Sequence, residues 1–326
     1  MRWAAELHKA MSRFFRDESE PPYRVFLRHN PMNAGGGAAM THSFLVTYGT
    51  GVSGENIKGI LGHEMTHTWT STGIGKWYDE GNAVYYQALL PWRAGLCTTE
   101  QFLQDLNATA SRYYTNPVKD APDAEVMPRF WLDTRYRVLP YDRGALYFAV
   151  LNGKIRKAST GKRAIDDLVL AMVLRMRNHE PVTEDVWLDL LQKELGEDGV
   201  AVHRSMMAGG LMLPDVDDFG PYFRRVTAKI RQFDVGFDMG PLVGSAKRIQ
   251  GLEPGSEAEK AGLANGDAIG YATGLDALQR DVTRTFDLLV TRDGKTFPIS
   301  YLPRGEAVDA YQWERVPGVP ESARKD

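Results

Sequence analysis

The sequence predicts an α+β protein: a small strand-containing N-terminal part, a mainly helical lobe, and a β-rich module after it. Three observations carry this. Apolar residues recur at helical spacing from Tyr78 to about Met207, in AVYYQALL, GALYFAVL, AIDDLVLAMVLRM and VWLDLLQKEL. The texture turns to Gly, Pro and Asp between Gly209 and Pro221. Beyond it, short alternating runs are separated by the turn signals PGS, NGD and RDG. The expected division is a first domain over 1–215, a second over 222–305, and a C-terminal tail over 306–326.

Taken in order, Trp3, Leu7, Met11 and Phe14 recur at the spacing of an opening helix. Tyr23 to Leu27 and Ser43 to Tyr48 read as strands, on either side of the glycine-rich segment from Pro31 to Met40. That segment serves equally as a mobile surface loop or as an edge strand able to pair with extended substrate backbone. Ser53 is the expected N-cap of a helix starting near Gly54 and carrying Ile57, Ile60, Leu61, Met65 and Trp69, with Gly73 and Gly75 marking its exit. In the C-terminal part, Ser256 suits the N-cap of a short helix and Gly262 its C′ position, and FDLLVTRDGKTFPISYL reads as a closing hairpin.

Composition narrows the function. The 326 residues carry 39 basic and 42 acidic side chains, interspersed, for a net charge of -3. No footprint for a polyanion is present, so nucleic acid is not an expected partner. The single cysteine, Cys97, excludes an intrachain disulfide and a cysteine-based zinc cluster, so a metal here needs His and carboxylate ligands. No window approaches the roughly 18 uninterrupted apolar residues of a membrane span. Arg2, Glu6, Lys9, Arg13 and Arg16 interrupt what a signal peptide would keep apolar, and the compartment stays open.

The chemistry concentrates in HEMTH, His63 to His67, inside the expected helix. Residues four apart lie slightly more than one turn apart, so both imidazoles project from one face. That spacing suits two nitrogen ligands on one zinc ion at about 2.0–2.1 Å, while Glu64, about 100° round the helix, can address a water on that ion. Bound zinc lowers the pKa of its water from 15.7 to about 7, and a carboxylate within reach can take the proton as the water attacks a carbonyl. A third ligand is available in WYDEG, Trp77 to Gly81, where Glu80 and Asp79 compete and point about 100° apart if both lie on one helix.

HEMTHTW followed by KWYDEGNAVYY resembles the gluzincin metallopeptidases, in particular the glycyl aminopeptidase family that carries a PDZ domain. The resemblance implies a thermolysin-like catalytic domain with His63, His67 and Glu80 as zinc ligands and Glu64 as general base. It also implies that Tyr141, in PYDRGALYF with Gly144, turns its hydroxyl to the tetrahedral intermediate, where a phenol donor meets developing charge. The segment GGGAAMTHS, Gly35 to Ser43, resembles the family's substrate-binding edge, which places Gly36, Gly37, Thr41 and His42 against the peptide.

Two departures stand out. Only Thr68 to Asp79 separates the second histidine from Glu80, shorter than in relatives. Thr41 stands where those aminopeptidases have a glutamate for the substrate's amino group, and a hydroxyl forgoes a charge-assisted hydrogen bond worth about 1.5–3 kcal/mol. Weaker aminopeptidase selectivity, or endopeptidase action, is the expectation. Relatives also carry a β-rich domain ahead of the catalytic one that has no counterpart here, as expected of a fragment or a short form.

Arg248 to Gly274 resembles a bacterial-type PDZ domain, which implies a fold that takes peptide C-termini by strand addition. Val235-Gly236-Phe237 matches its carboxylate loop weakly, and the stretch from Gly274 to Thr285 is short and charged for a groove-lining helix, so a reduced, structural module is expected. Peptide-bond hydrolysis is the leading function. A degenerate peptidase lobe presenting a PDZ module as an adaptor is the rival.

Overall fold

The computed structural model describes residues 2–19, 21–31, 35–244 and 247–320. The first helix, α1 (Arg2–Phe14), is amphipathic and buries Ala4, Leu7 and Met11. Fully burying a Leu or Met side chain contributes about 1.5–3 kcal/mol, enough to hold a helix this short in place. Three strands follow, β1 (Arg24–His29), β2 (Gly37–Met40) and β3 (Ser43–Tyr48), in the spatial order β1-β3-β2. β1 runs parallel to β3 and β2 antiparallel, so the glycine-rich segment supplies an edge strand from Gly37 onward. Met32, Asn33 and Ala34 of that segment lie outside the described residues. Phe44 and Val46 alternate inward from β3 into the core.

α2 (Lys58–Thr70) carries the HEMTH motif and packs beneath β2 and β3. It begins later than the sequence suggests, because the Ser53 hydroxyl is engaged by Asn56 Oδ1 at 2.7 Å in a turn ahead of the helix. Ile57, which caps it instead, offers no side-chain bond. Gly73, at φ +76°, ends the connector's turn, and α3 (Lys76–Arg93) follows.

The helical lobe continues with α4 (Thr99–Tyr114), α5 (Asp123–Arg129), α6 (Thr134–Arg137), α7 (Leu139–Ala158), α8 (Ile165–Arg177), α9 (Glu184–Leu195) and α10 (Glu197–Met207). Two crossings set its geometry. Where α2 meets α3, a Cβ on Gly62 would stand 2.6 Å from the Gln87 carbonyl oxygen. Where α3 meets α7, a Cβ on Gly81 would stand 2.8 Å from the Gly144 backbone. Both contacts require glycine, and both draw motif-bearing segments together.

The C-terminal part comprises β4 (Phe223–Phe233), α11 (Gly240–Val243), α12 (Glu257–Lys260), β5 (Ala268–Gly270), α13 (Leu275–Arg280), β6 (Phe286–Arg292), β7 (Lys295–Tyr301) and β8 (Arg304–Arg315). Ser256 caps α12 through the Glu259 amide at 3.2 Å, and Gly262 follows with φ +95°. β5, β6 and β7 form an antiparallel sheet over their own apolar core, from Phe233 to Tyr301. β4 and β8 pair separately and face the helical lobe, placing Tyr222, Phe223, Ala310 and Trp313 in its core. Residues 306–315, expected in a tail, are therefore part of a strand; 321–326 lie outside the described residues. Among the described residues, no helix is long and apolar enough to cross a membrane.

Candidate metal centre

α2 and α3 bring His63, His67 and Glu80 to one point. Glu80 Oε2 lies 3.3 Å from His63 Nε2 and 3.2 Å from His67 Nε2, and the two Nε2 atoms are 3.3 Å apart. Three ligands at about 2.0–2.1 Å on a tetrahedral ion stand about 3.3–3.4 Å from one another, so the donor triangle fits a zinc ion and leaves a fourth corner free. Burial by itself would raise the Glu80 pKa, but the two histidines that face it hold it well below the usual carboxylate range. Glu80 is therefore an anion, ready to ligate.

The second nitrogen of each ring is occupied. His63 Nδ1 meets Gln87 Oε1 at 3.3 Å, and His67 Nδ1 meets Ser71 Oγ at 3.3 Å. Gln87 turns its amide nitrogen to both Asp105 oxygens, at 3.1 and 3.0 Å, so its oxygen is what faces His63. His63 Nδ1 must then donate, which leaves the Nε2 lone pair for a metal.

The rivalry between Asp79 and Glu80 is resolved by the connector. Asp79 Oδ1 accepts from the Thr72 amide at 2.8 Å and the Thr72 hydroxyl at 3.0 Å, while Oδ2 takes the Gly73 amide at 3.1 Å. The short connector is tied down by one carboxylate, and the next residue round the helix faces the histidines.

Glu64 is buried beside the triangle, under β2: a Cβ on Gly37 would stand 2.4 Å from its Oε1. Burial raises the Glu64 pKa, against the pull of His63 and His67. Tyr141, at the start of α7, stacks on His63 with ring centroids 5.7 Å apart and planes 13° apart. Burial, and then the nearby Glu80 charge, raise its pKa, so it stays a hydroxyl donor. The following residue anchors it: Asp142 receives Arg112 Nε at 2.6 Å and Nη2 at 2.7 Å, both side chains buried.

Of the expected substrate-binding residues, Gly37 meets Glu64, and Gly36 leads into β2 with φ +84° and open space around it. Thr41 and His42 form the exposed turn from β2 to β3. Sequence reasoning missed Lys76, whose Nζ lies 3.0 Å from Glu80 Oε1 and whose i,i+4 spacing was a usable signal. It also missed Gln87, Asp105 and Arg112, which no local pattern marks.

The crystal structure of an aminopeptidase N family protein from Idiomarina loihiensis superposes with a TM-score of 0.66 over 96% of this chain, at 14% identity. The fold is aminopeptidase-like. This chain spans 64% of the length of that protein. A family model described as M61 glycyl aminopeptidase matches residues 71–128, a segment that contains Asp79 and Glu80. An M1 zinc metallopeptidase from Deinococcus radiodurans is 20% identical over 64% of this chain and 44% of its own, with a TM-score of 0.44. No curated protein sequence matches. The family model matches only the short segment 71–128, and the structure from Idiomarina loihiensis shows the fold.

Proposed function

We propose that this chain is a zinc-dependent peptidase in which His63, His67 and Glu80 hold the ion and Glu64 is the general base. The observation that carries the reading is the triangle of donor atoms, each 3.2–3.3 Å from the others. Zinc held there supplies Lewis acidity, polarising the scissile carbonyl and acidifying water.

The protein's own groups supply the rest. The free edge of β2 offers backbone N–H and C=O groups to an extended peptide, and Gly37 lets that peptide pass close to Glu64. Glu64 takes the proton of the attacking water and passes it to the leaving amine. Tyr141 donates its hydroxyl hydrogen bond to the carbonyl oxygen as negative charge grows there. With a threonine at 41, in the exposed turn, no carboxylate grips a free α-amino group, which favours short peptides irrespective of a free N-terminus. The C-terminal module is read as a reduced PDZ domain with a structural role, its α13 only six residues long.

Zinc content and one substitution test the assignment. About one zinc per chain, lost in His63→Ala, is expected. Glu64→Gln is expected to keep the zinc and lose peptidase activity by at least about a hundredfold, the scale of a general base. Unchanged activity in Glu64→Gln refutes the mechanism. A digest of free and N-acetylated peptide libraries separates the two modes of cleavage.

A further inference from the structure

We propose that the C-terminal module is an outer support of the metal ligand His63, acting in cis through Arg280, Asp105 and Gln87. The inference rests on the metal-site reading above. Arg280, the last residue of α13, donates Nη2 to Asp105 Oδ1 and, at 3.3 Å, to the Asp105 carbonyl oxygen. Asp105 receives the Gln87 amide nitrogen on both oxygens, and Gln87 presents its own oxygen to His63 Nδ1 at 3.3 Å. The relay thus runs from the second apolar core to the first ligand without a break.

Its chemistry explains why each residue type is present. A carboxamide can turn either end to His63. If the nitrogen faced the ring, His63 Nδ1 would have to accept, and the proton would move to Nε2 and block the ligand lone pair. Asp105 only accepts, so it selects the productive orientation of Gln87. Arg280 supplies the counter-charge and fixes the Asp105 rotamer. Gly62 adds the backbone half of the arrangement, because a side chain there would push away the segment that carries Gln87.

Docking of α13 has separate anchors. Asp276 receives Arg137 Nη2 at 2.7 Å and the Thr134 hydroxyl, and Gln279 Nε2 donates to Thr134 Oγ1 at 3.0 Å. Arg280 can therefore be removed without undocking the module, and Asp276 can be altered without touching the relay.

The test uses the full chain, stripped of metal and reloaded. Zinc affinity is measured by chelator competition, and the ligand field by the visible spectrum of the cobalt(II)-substituted protein. Altering groups that orient a metal ligand changes affinity about 10–100-fold. Gln87→Leu is expected to weaken zinc binding within that range and Arg280→Ala by about tenfold, with a shifted cobalt spectrum in each. Arg280→Ala adds nothing in the Gln87→Leu background, Arg280→Lys restores most of the loss, and Asp276→Ala stays within about twofold of the parent.

Zinc affinity within about twofold of the parent in Arg280→Ala, or additive effects in the double variant, overturns the proposal. If Arg280→Ala does not fold, Asp105→Asn decides: its side chain no longer selects one end of Gln87, so a loss of about tenfold supports the relay and parental affinity refutes it. A parent protein that binds no zinc refutes the metal-site reading itself, before any variant is compared.

Discussion

Gly37 presses so closely on Glu64 that one methyl group there must move the carboxylate. The atoms it meets are the far end of a flexible side chain, so Gly37→Ala is expected to change stability little. Misplacing a reacting group by about 1 Å can cost about a hundredfold in rate. Kinetics of Gly37→Ala should thus show kcat reduced at least tenfold at unchanged zinc content. The raised pKa of Glu64 gives a second expectation. A base must be ionised, so kcat/KM should fall as pH drops through a value above the ordinary 4.5 of glutamate, and Glu64→Gln should abolish that limb. At this scale the sequence was legible where spacing alone fixes direction, as for His63, Glu64 and His67. Spacing alone did not decide between Asp79 and Glu80, because the connector amides that claim Asp79 are a tertiary fact; only the family resemblance implied Glu80. Sequence reasoning did not foresee that Thr41 and His42 form the turn between β2 and β3, since where one strand gives way to the next depends on pairing.

Among elements, the crossings matter most. Gly81→Ala would drive a methyl group into the Gly144 backbone 2.8 Å away, and backbone cannot swing aside. Overpacking of this kind costs about 1–3 kcal/mol, and separating α3 from α7 also moves Tyr141 away from His63. Denaturant titration and activity of Gly81→Ala should therefore fall together. Arg112→Met is expected to cost about 3–5 kcal/mol by stranding the buried Asp142 carboxylate. Helical periodicity announced the lobe, since long amphipathic segments repeat their pattern many times. The Ser53 cap failed for a local reason: a hydroxyl that can cap a helix can equally bond a nearby asparagine.

For the molecule as a whole, the antiparallel pair of β4 and β8 joins its two parts. Trp313, 1% exposed in the core of the helical lobe, is framed by Asn107, which accepts from its amide at 2.7 Å and donates to its carbonyl at 2.9 Å. Trp313→Ala should cost about 3–5 kcal/mol in global stability, measured by thermal or denaturant unfolding, although it lies far along the chain from the metal ligands. Nothing local revealed this role. The alternation in AVDAYQWER is weak, and its partner strand lies some seventy residues earlier, so those residues read as a tail.

The same strand pair holds the small sheet at both of its ends, with Phe233 opposite Arg304 and the Phe233 amide bonded to the Thr115 carbonyl at 2.9 Å. A module joined by one flexible linker samples a volume set by linker length. One inserted between two paired strands loses that freedom, and its position becomes a matter of covalent geometry. Arg280 therefore meets Asp105 at the high effective concentration of a group already in place, so even a modest contact can stay made.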